Sequence, residues 1–172
     1  MKKSTLIIDY GFGNLSSVAN AVSAVGGNPL VSSDIAALSE AKNIVLPGVG
    51  AFGEGMAALS RLGFVEPLYR EVKDNGKPLL GICLGMQLLA KSSNEHGNCY
   101  GLNLIPGVVE KLEPVDISLR LPHIGWNEVT FKDHVITRGI PKCTDFYFVH
   151  SYAFKTLHER NTLGTCNYGG LF

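Results

Sequence analysis

Lys77-Pro78-Leu79-Leu80-Gly81-Ile82-Cys83-Leu84-Gly85-Met86-Gln87 is the stretch on which the reading of this chain turns. A short apolar run ends at Gly81, a cysteine follows between two glycines, and a helical pattern begins at once. This is the layout of a nucleophile elbow with cysteine in the nucleophile's place. A sharp strand-to-helix turn leaves no room for Cβ atoms beside the nucleophile, hence Gly81 and Gly85 two residues to either side. The layout predicts a Cys83 sulfur above a sheet edge, at the positive end of the next helix, where thiolate is favoured over thiol. It also leaves the Leu84 amide free to bind an oxyanion. The plainer alternative is a buried cysteine at an ordinary βα junction.

Working outward, the first half alternates strand and helix signals at short spacing. Leu6-Ile7-Ile8 is an apolar run that ends in the turn Asp9-Tyr10-Gly11-Phe12-Gly13. Asn14 is placed to cap a helix buried through Leu15, Val18, Ala19, Val22 and Val25, which Gly26-Gly27 stops. Pro29-Leu30-Val31 and Asn43-Ile44-Val45-Leu46 read as strands, with a short helical segment capped by Asp34 between them. Helical spacing returns around Met56 to Leu59 and from Phe64 to Val72. Short βαβα alternation predicts an α/β fold, a mostly parallel sheet flanked by helices. Ligands bind such sheets at the carboxyl ends of the strands, where Tyr10, Pro47 and Cys83 fall.

The second half reads as antiparallel β added to that core. Val108 to Leu112, Glu128 to Phe131, Phe146 to Val149 and Thr162 to Gly164 are the expected strands. Neither repeat nor linker divides the chain, so residues 1–172 are expected to form one domain. Its last residues, Cys166-Asn167-Tyr168-Gly169-Gly170-Leu171-Phe172, read as a domain cut short at its C-terminus.

Composition bounds the function. The 172 residues are 45% hydrophobic and 17% charged, as in a compact globular protein. Lys+Arg and Asp+Glu are both 15, which points away from nucleic acid as a partner. The apolar run after Lys2-Lys3 is cut by Asp9, too short for a secretory or membrane segment, so a cytoplasmic location is expected. Cys83, Cys99, Cys143 and Cys166 have no metal-site spacing, and neither a metal nor a cofactor is expected.

Two further segments can join a site at Cys83. Pro47-Gly48-Val49-Gly50 follows a strand and is either an ordinary glycine-rich turn or a second oxyanion donor near Val49 and Gly50. It is not a phosphate loop, because no Gly-Lys-Ser/Thr follows. Gly11-Phe12-Gly13 lacks the third glycine of a dinucleotide fingerprint. His150, after a strand, and His123, in Pro122-His123-Ile124-Gly125-Trp126-Asn127, are rival candidates for a base; a lone histidine is more often structural.

Taken together, these residues resemble a known family. Gly81 to Gln87 is similar to the elbow of class I glutamine amidotransferases. Ile8 to Asn14, Leu46 to Gly50, Pro122 to Asn127 and Phe146 to Tyr152 resemble, in order, the glutaminase subunits of imidazole glycerol phosphate synthases. The resemblance implies a flavodoxin-like domain in which Cys83 attacks the glutamine side-chain amide, giving a glutamyl thioester and ammonia. It implies an oxyanion hole at Val49, Gly50 and Leu84. Gln87, Glu95, His150, Ser151 and Tyr152 would hold glutamine, which makes His150 a binding residue and not the base. The base implied is the histidine of a later His-Pro-Glu motif, beyond Phe172, so these residues alone are expected to turn over little glutamine. The implied partner is a cyclase subunit of (β/α)₈-barrel type, joined as a heterodimer over Asn14, Trp126, Asn127 and Tyr147. The alternatives are a glutaminase serving a sugar-amidating enzyme, or an inactive docking module.

Overall fold

A computed structural model describes residues 4–116 and 118–172. The first half forms β1 (Thr5–Ile8), α1 (Leu15–Ala24), β2 (Pro29–Ser32), α2 (Ala36–Glu40), β3 (Asn43–Leu46), α3 (Phe52–Arg61), α4 (Val65–Lys73), β4 (Leu79–Gly81) and α5 (Leu84–Gln87). Its four strands are parallel and lie in the order β2-β1-β3-β4. The capping signals work as expected. Asn14 Oδ1 accepts from the Ser17 amide at 3.2 Å, and Asp34 Oδ1 from the Ala36 amide at 2.9 Å.

One sheet face carries the core. Leu6, Ile8, Ile44 and Leu46 point into a cluster with Leu38 of α2, Phe52, Met56 and Leu59 of α3, Leu68 of α4 and Leu84 of α5. Burial of this many large side chains, each contributing about 1.5–3 kcal/mol, is the principal stabilising term. Before β4, buried Glu71 pairs with Lys77 at 2.8 Å, and Lys77 also donates to the Leu38 carbonyl. The hydrogen bond that Lys77 gives to Glu71 holds the Glu71 carboxyl below its ordinary range, against its burial. α1 departs from expectation. It packs on β1 and β2, yet none of its residues is fully buried, and Val25 is 86% exposed. Leu15, Val18, Ala19 and Val22 are half-buried, and Val25 lies past the last helical residue.

The second half contains β5 (Ser92–Ser93), β6 (Cys99–Tyr100), β7 (Gly107–Lys111), β8 (His123–Phe131), β9 (Cys143–His150), β10 (Tyr152–Thr156) and β11 (Gly164–Cys166). They form two further sheets, β10-β7-β5-β6 and β11-β8-β9. All pairings are antiparallel except β5 with β7. Leu102, Leu104 and Val109 enter the same buried cluster as the parallel sheet, so the two halves share a core. Among the described residues, no helix is long and apolar enough to cross a membrane.

Two expectations are corrected. β8 starts at His123 and not at the expected Glu128, so Trp126 lies within a strand. β10 (Tyr152–Thr156) was not among the expected strands; it follows β9 after the single residue Ser151.

Candidate active site

The elbow at Cys83 is built from main chain. The Ile82 amide donates to the Leu46 carbonyl at 3.0 Å, which lays the turn across the carboxyl end of β3. The Cys83 carbonyl then accepts from Met86 and Gln87 at 3.0 and 3.1 Å, starting α5. Cys83 itself is exposed and sits at φ +54°, ψ −117°. Such a conformation costs a non-glycine residue on the order of 1–3 kcal/mol, and in compact enzymes it collects at reacting groups. Both flanking glycines are required by space. A Cβ on Gly85 would overlap the Leu46 carbonyl, and one on Gly81 would lie 2.5 Å from the Met86 Cα. The buried-cysteine alternative therefore fails.

α5 is one turn long, which corrects the helix expected after the elbow. The cause is tertiary. Leu88, Leu89 and Ala90 give their carbonyls to the amides of Leu102, Leu104 and Asn103, each at 2.9 Å. Cys83 therefore stands at the start of a single turn, without a long helix dipole behind it. Among the described residues, no acceptor takes the Leu84 amide, while its side chain is buried.

The Pro47 to Gly50 loop packs directly on this turn. A Cβ on Gly48 would stand 2.8 Å from the Gly85 amide nitrogen and 2.5 Å from the Tyr10 hydroxyl oxygen. Tyr10 is buried, stacks on Phe12 at 5.5 Å and donates its hydroxyl to the Pro47 carbonyl at 2.7 Å. Burial, and next the charge of a Cys83 thiolate, push its ionisation far upward, so it stays a donor. Tyr10 thus props one end of the loop. The other end is open, with Val49 exposed and Gly50 at φ +106°, a conformation that favours glycine. Sequence reasoning placed Tyr10 at the strand ends but not in this role; no pattern reveals where its hydroxyl reaches.

The residues expected to hold glutamine divide into two groups. Gln87, Tyr152 and His150 come together, because the Tyr152 carbonyl accepts from Gln87 Nε2 at 3.1 Å and from His150 Nδ1 at 3.0 Å. Ser151 lies between, its carbonyl taken by the Leu112 amide at 2.8 Å. Glu95 is elsewhere, accepting from the Phe52 amide at 2.7 Å and so capping α3, just after the Val49-Gly50 loop. The second nitrogen of His150 is also occupied, 2.9 Å from Nδ1 of buried His123. Burial depresses the ionisation of both rings, helped at His123 by the charge His150 could carry, and opposed at His150 by its bond to the Tyr152 carbonyl. His123 was a rival base; the structure puts it behind His150. No group of three or more His, Cys, Asp or Glu side chains among the described residues could hold a metal.

The residues expected at a partner face are also separated. Trp126 opposes Tyr147 across β8 and β9, their rings meeting edge to face at 5.6 Å. Ile124 and Val149, also paired, extend this face, and all four side chains are more than half exposed. Ile124 and Val149 were missed because alternation becomes visible only once β8 is known to start at His123. Strand alternation turns Asn127 to the inner face, where Nδ2 meets His123 Nε2 at 2.7 Å. Asn14 caps α1 beside Gly13, and a Cβ on Gly13 would lie 3.1 Å from the Pro47 side chain. It belongs to the rim of the Cys83 loop.

Comparison with known proteins agrees with this geometry. The sequence matches the family described as glutamine amidotransferase class-I over residues 6–170. It is 47% identical over 164 residues to the imidazole glycerol phosphate synthase subunit HisH of Moorella thermoacetica, covering 95% of this chain and 76% of that protein. The subunit of the same name from Aquifex aeolicus is 45% identical over 170 residues, covering 98% and 80%. A glutamine amidotransferase crystal structure superposes with a TM-score of 0.71 at 16% identity, covering 96% of this chain and 86% of the other. The PurLQS structure from Thermotoga maritima gives 0.70 at 17% identity, covering 99% and 78%. The last two speak for the fold alone.

Proposed function

Since the chain belongs to the class I glutamine amidotransferases, we propose that Cys83 is its nucleophile and that it releases ammonia from glutamine for a synthase partner. The observation that carries this is Cys83 itself, exposed at φ +54° between two glycines that main-chain contact makes irreplaceable. The sulfur attacks the side-chain amide carbon of glutamine. The carbonyl oxygen, now negative, is met by the Leu84 amide and by the Val49-Gly50 peptide once that peptide turns inward. Collapse of the adduct expels ammonia, which must gain a proton as it leaves, and forms a glutamyl thioester. Water then cleaves the thioester to glutamate and restores the thiol. The family resemblance assigns that proton traffic to a histidine of a later His-Pro-Glu motif.

Gln87, Ser151 and Tyr152 form the glutamine-holding edge, with His150 behind them and Glu95 supporting the loop through Phe52. Ammonia released into water becomes ammonium, which is no nucleophile, so the acceptor must dock over the Cys83 mouth. The relatives' names favour imidazole glycerol phosphate synthase, and with it histidine biosynthesis, over a sugar-amidating acceptor. The partner is a cyclase subunit, of (β/α)₈-barrel type, seated on Ile124, Trp126, Tyr147 and Val149 in a cytoplasmic heterodimer. The test is glutamate release by the full-length protein with and without the cyclase, alongside labelling by a glutamine-like electrophile. Labelling confined to Cys83 and turnover that rises with the cyclase are expected. Stoichiometric labelling at Cys99, Cys143 or Cys166 with Cys83 untouched would overturn the assignment.

A further inference from the structure

Behind the glutamine-holding edge, a chain of hydrogen bonds runs from β8 to β10. Asn127 Nδ2 lies 2.7 Å from His123 Nε2, His123 Nδ1 lies 2.9 Å from His150 Nε2, and His150 Nδ1 lies 3.0 Å from the Tyr152 carbonyl oxygen. The carbonyl at its end can only accept. His150 must therefore carry its proton on Nδ1, which leaves Nε2 of the neutral ring bare. That bare nitrogen needs a donor, so His123 must also be protonated on Nδ1. His123 Nε2 is then bare in turn, and the amide of Asn127 supplies the last proton. One acceptor sets the direction of all three bonds.

The surroundings keep the rings neutral and still. His123 is fully buried, stacked on Tyr168 at 3.9 Å and on Phe148 at 4.8 Å. Tyr168 is itself tied, donating its hydroxyl to the Arg120 carbonyl at 2.8 Å. The Tyr152 carbonyl receives Gln87 as its second donor, and Gln87 closes the helical turn that Cys83 opens. A shift in His150 is thereby a shift in the edge that Gln87 ties to the Cys83 turn.

We propose that Asn127 and His123 are positioning residues for glutamine, holding the His150-to-Tyr152 edge through a one-way relay in which both histidines are Nδ1–H tautomers. This rests on the reading of that edge as the glutamine-holding segment. In water the Nε2–H tautomer of histidine is the commoner one, so two buried rings of the other kind form a distinctive signature.

The test uses the full-length protein with its cyclase. Nitrogen-15 spectra of the imidazoles at about pH 8, where both rings are neutral, should show His123 and His150 protonated on Nδ1. His123→Phe keeps the stacking and removes both nitrogens; Asn127→Leu keeps the volume and removes the amide with its donor. Each should raise the KM for glutamine about tenfold with kcat within about twofold, because the lost bonds serve binding and not the chemical step. In Asn127→Leu the Nδ1–H signal of His123 should persist, because the bare Nε2 of His150 still requires that proton, while the His123 Nε2 resonance should shift as it loses its donor. A purely structural role would lower the melting temperature and leave KM unchanged. That result in either folded variant, or an Nε2–H signal from His150 in the natural protein, overturns the proposal. Should His123→Phe not fold, Asn127→Leu decides. Absence of glutamate release from the natural protein would instead count against the glutaminase reading, and the imidazole spectra would still judge the relay.

Discussion

The two faces of the parallel sheet start from equally apolar strands and meet different surroundings. Leu6, Ile8, Ile44 and Leu46 are at most 1% exposed under α2 to α5. On the opposite face the row Val31, Ile7, Val45 and Leu80 is in register across all four strands. Its central members Ile7 and Val45 are buried, while Val31 and Leu80 at the edges are 42% and 51% exposed. α1 covers only part of this row. Parallel sheets are ordinarily covered on both faces, so their strands read as unbroken apolar runs. The same signal therefore describes both faces, and the amount of cover is decided by the helices that connect the strands. Cys83 is tied to the well-covered face through Leu84 and the Leu46 carbonyl.

The hardest blow to that tie is Gly85→Ala. The added methyl overlaps the Leu46 carbonyl, and main chain cannot yield as a side-chain tip can. Glutamate release with the cyclase present should vanish, and urea unfolding should show a loss of about 3 kcal/mol or more. Near-normal turnover would mean that the elbow does not rest on β3. Next comes Leu46→Ala, which empties a fully buried position on the covered face and should cost about 2–5 kcal/mol by the same measurement.

Acid separates the sheets from the ribbon beyond them. His123 and His150 ionise below the ordinary histidine value of 6.5 in the folded protein, so the unfolded chain binds more protons as pH falls. Their contribution is whole above that value and is lost as pH drops through the depressed folded values. Thermal melts should therefore fall on acidification below about 6.5, and His123→Phe should flatten that slope. Smallest of all is Leu80→Ser on the exposed face, expected within about 0.5 kcal/mol of the natural protein. A cost matching that of Leu46→Ala would show that Leu80 is covered in solution, and the contrast between the faces would collapse.

Much of this was readable beforehand, for identifiable reasons. β1 to β4 are apolar runs bounded by turn residues, and the elbow declares itself because only glycine fits at 81 and 85. Gln87, His150, Ser151 and Tyr152 were named from family resemblance and prove to be neighbours. What escaped the sequence depends on distant partners. α5 stops after one turn because residues 102–104 take the carbonyls that would continue it. Tyr10 matters through a hydroxyl that reaches Pro47, 37 positions away. Asn127 and Trp126 are adjacent in the chain, yet β8 sends them to opposite sides, and no pattern indicated a strand as far back as His123.

The seating of Cys83 bears on how such a protein can change over generations. The sulfur's position is referenced to peptide groups: the Leu46 carbonyl, the Ile82 and Gly85 amides, and the Met86 backbone. Among the surrounding core side chains, Leu84, next in the chain, is the one that shares in that reference frame. A lineage can therefore rewrite most of its apolar interior, volume for volume, and keep the reacting atom in register. Three glycine positions, 48, 81 and 85, stay closed to drift while the apolar neighbourhood has more room to wander.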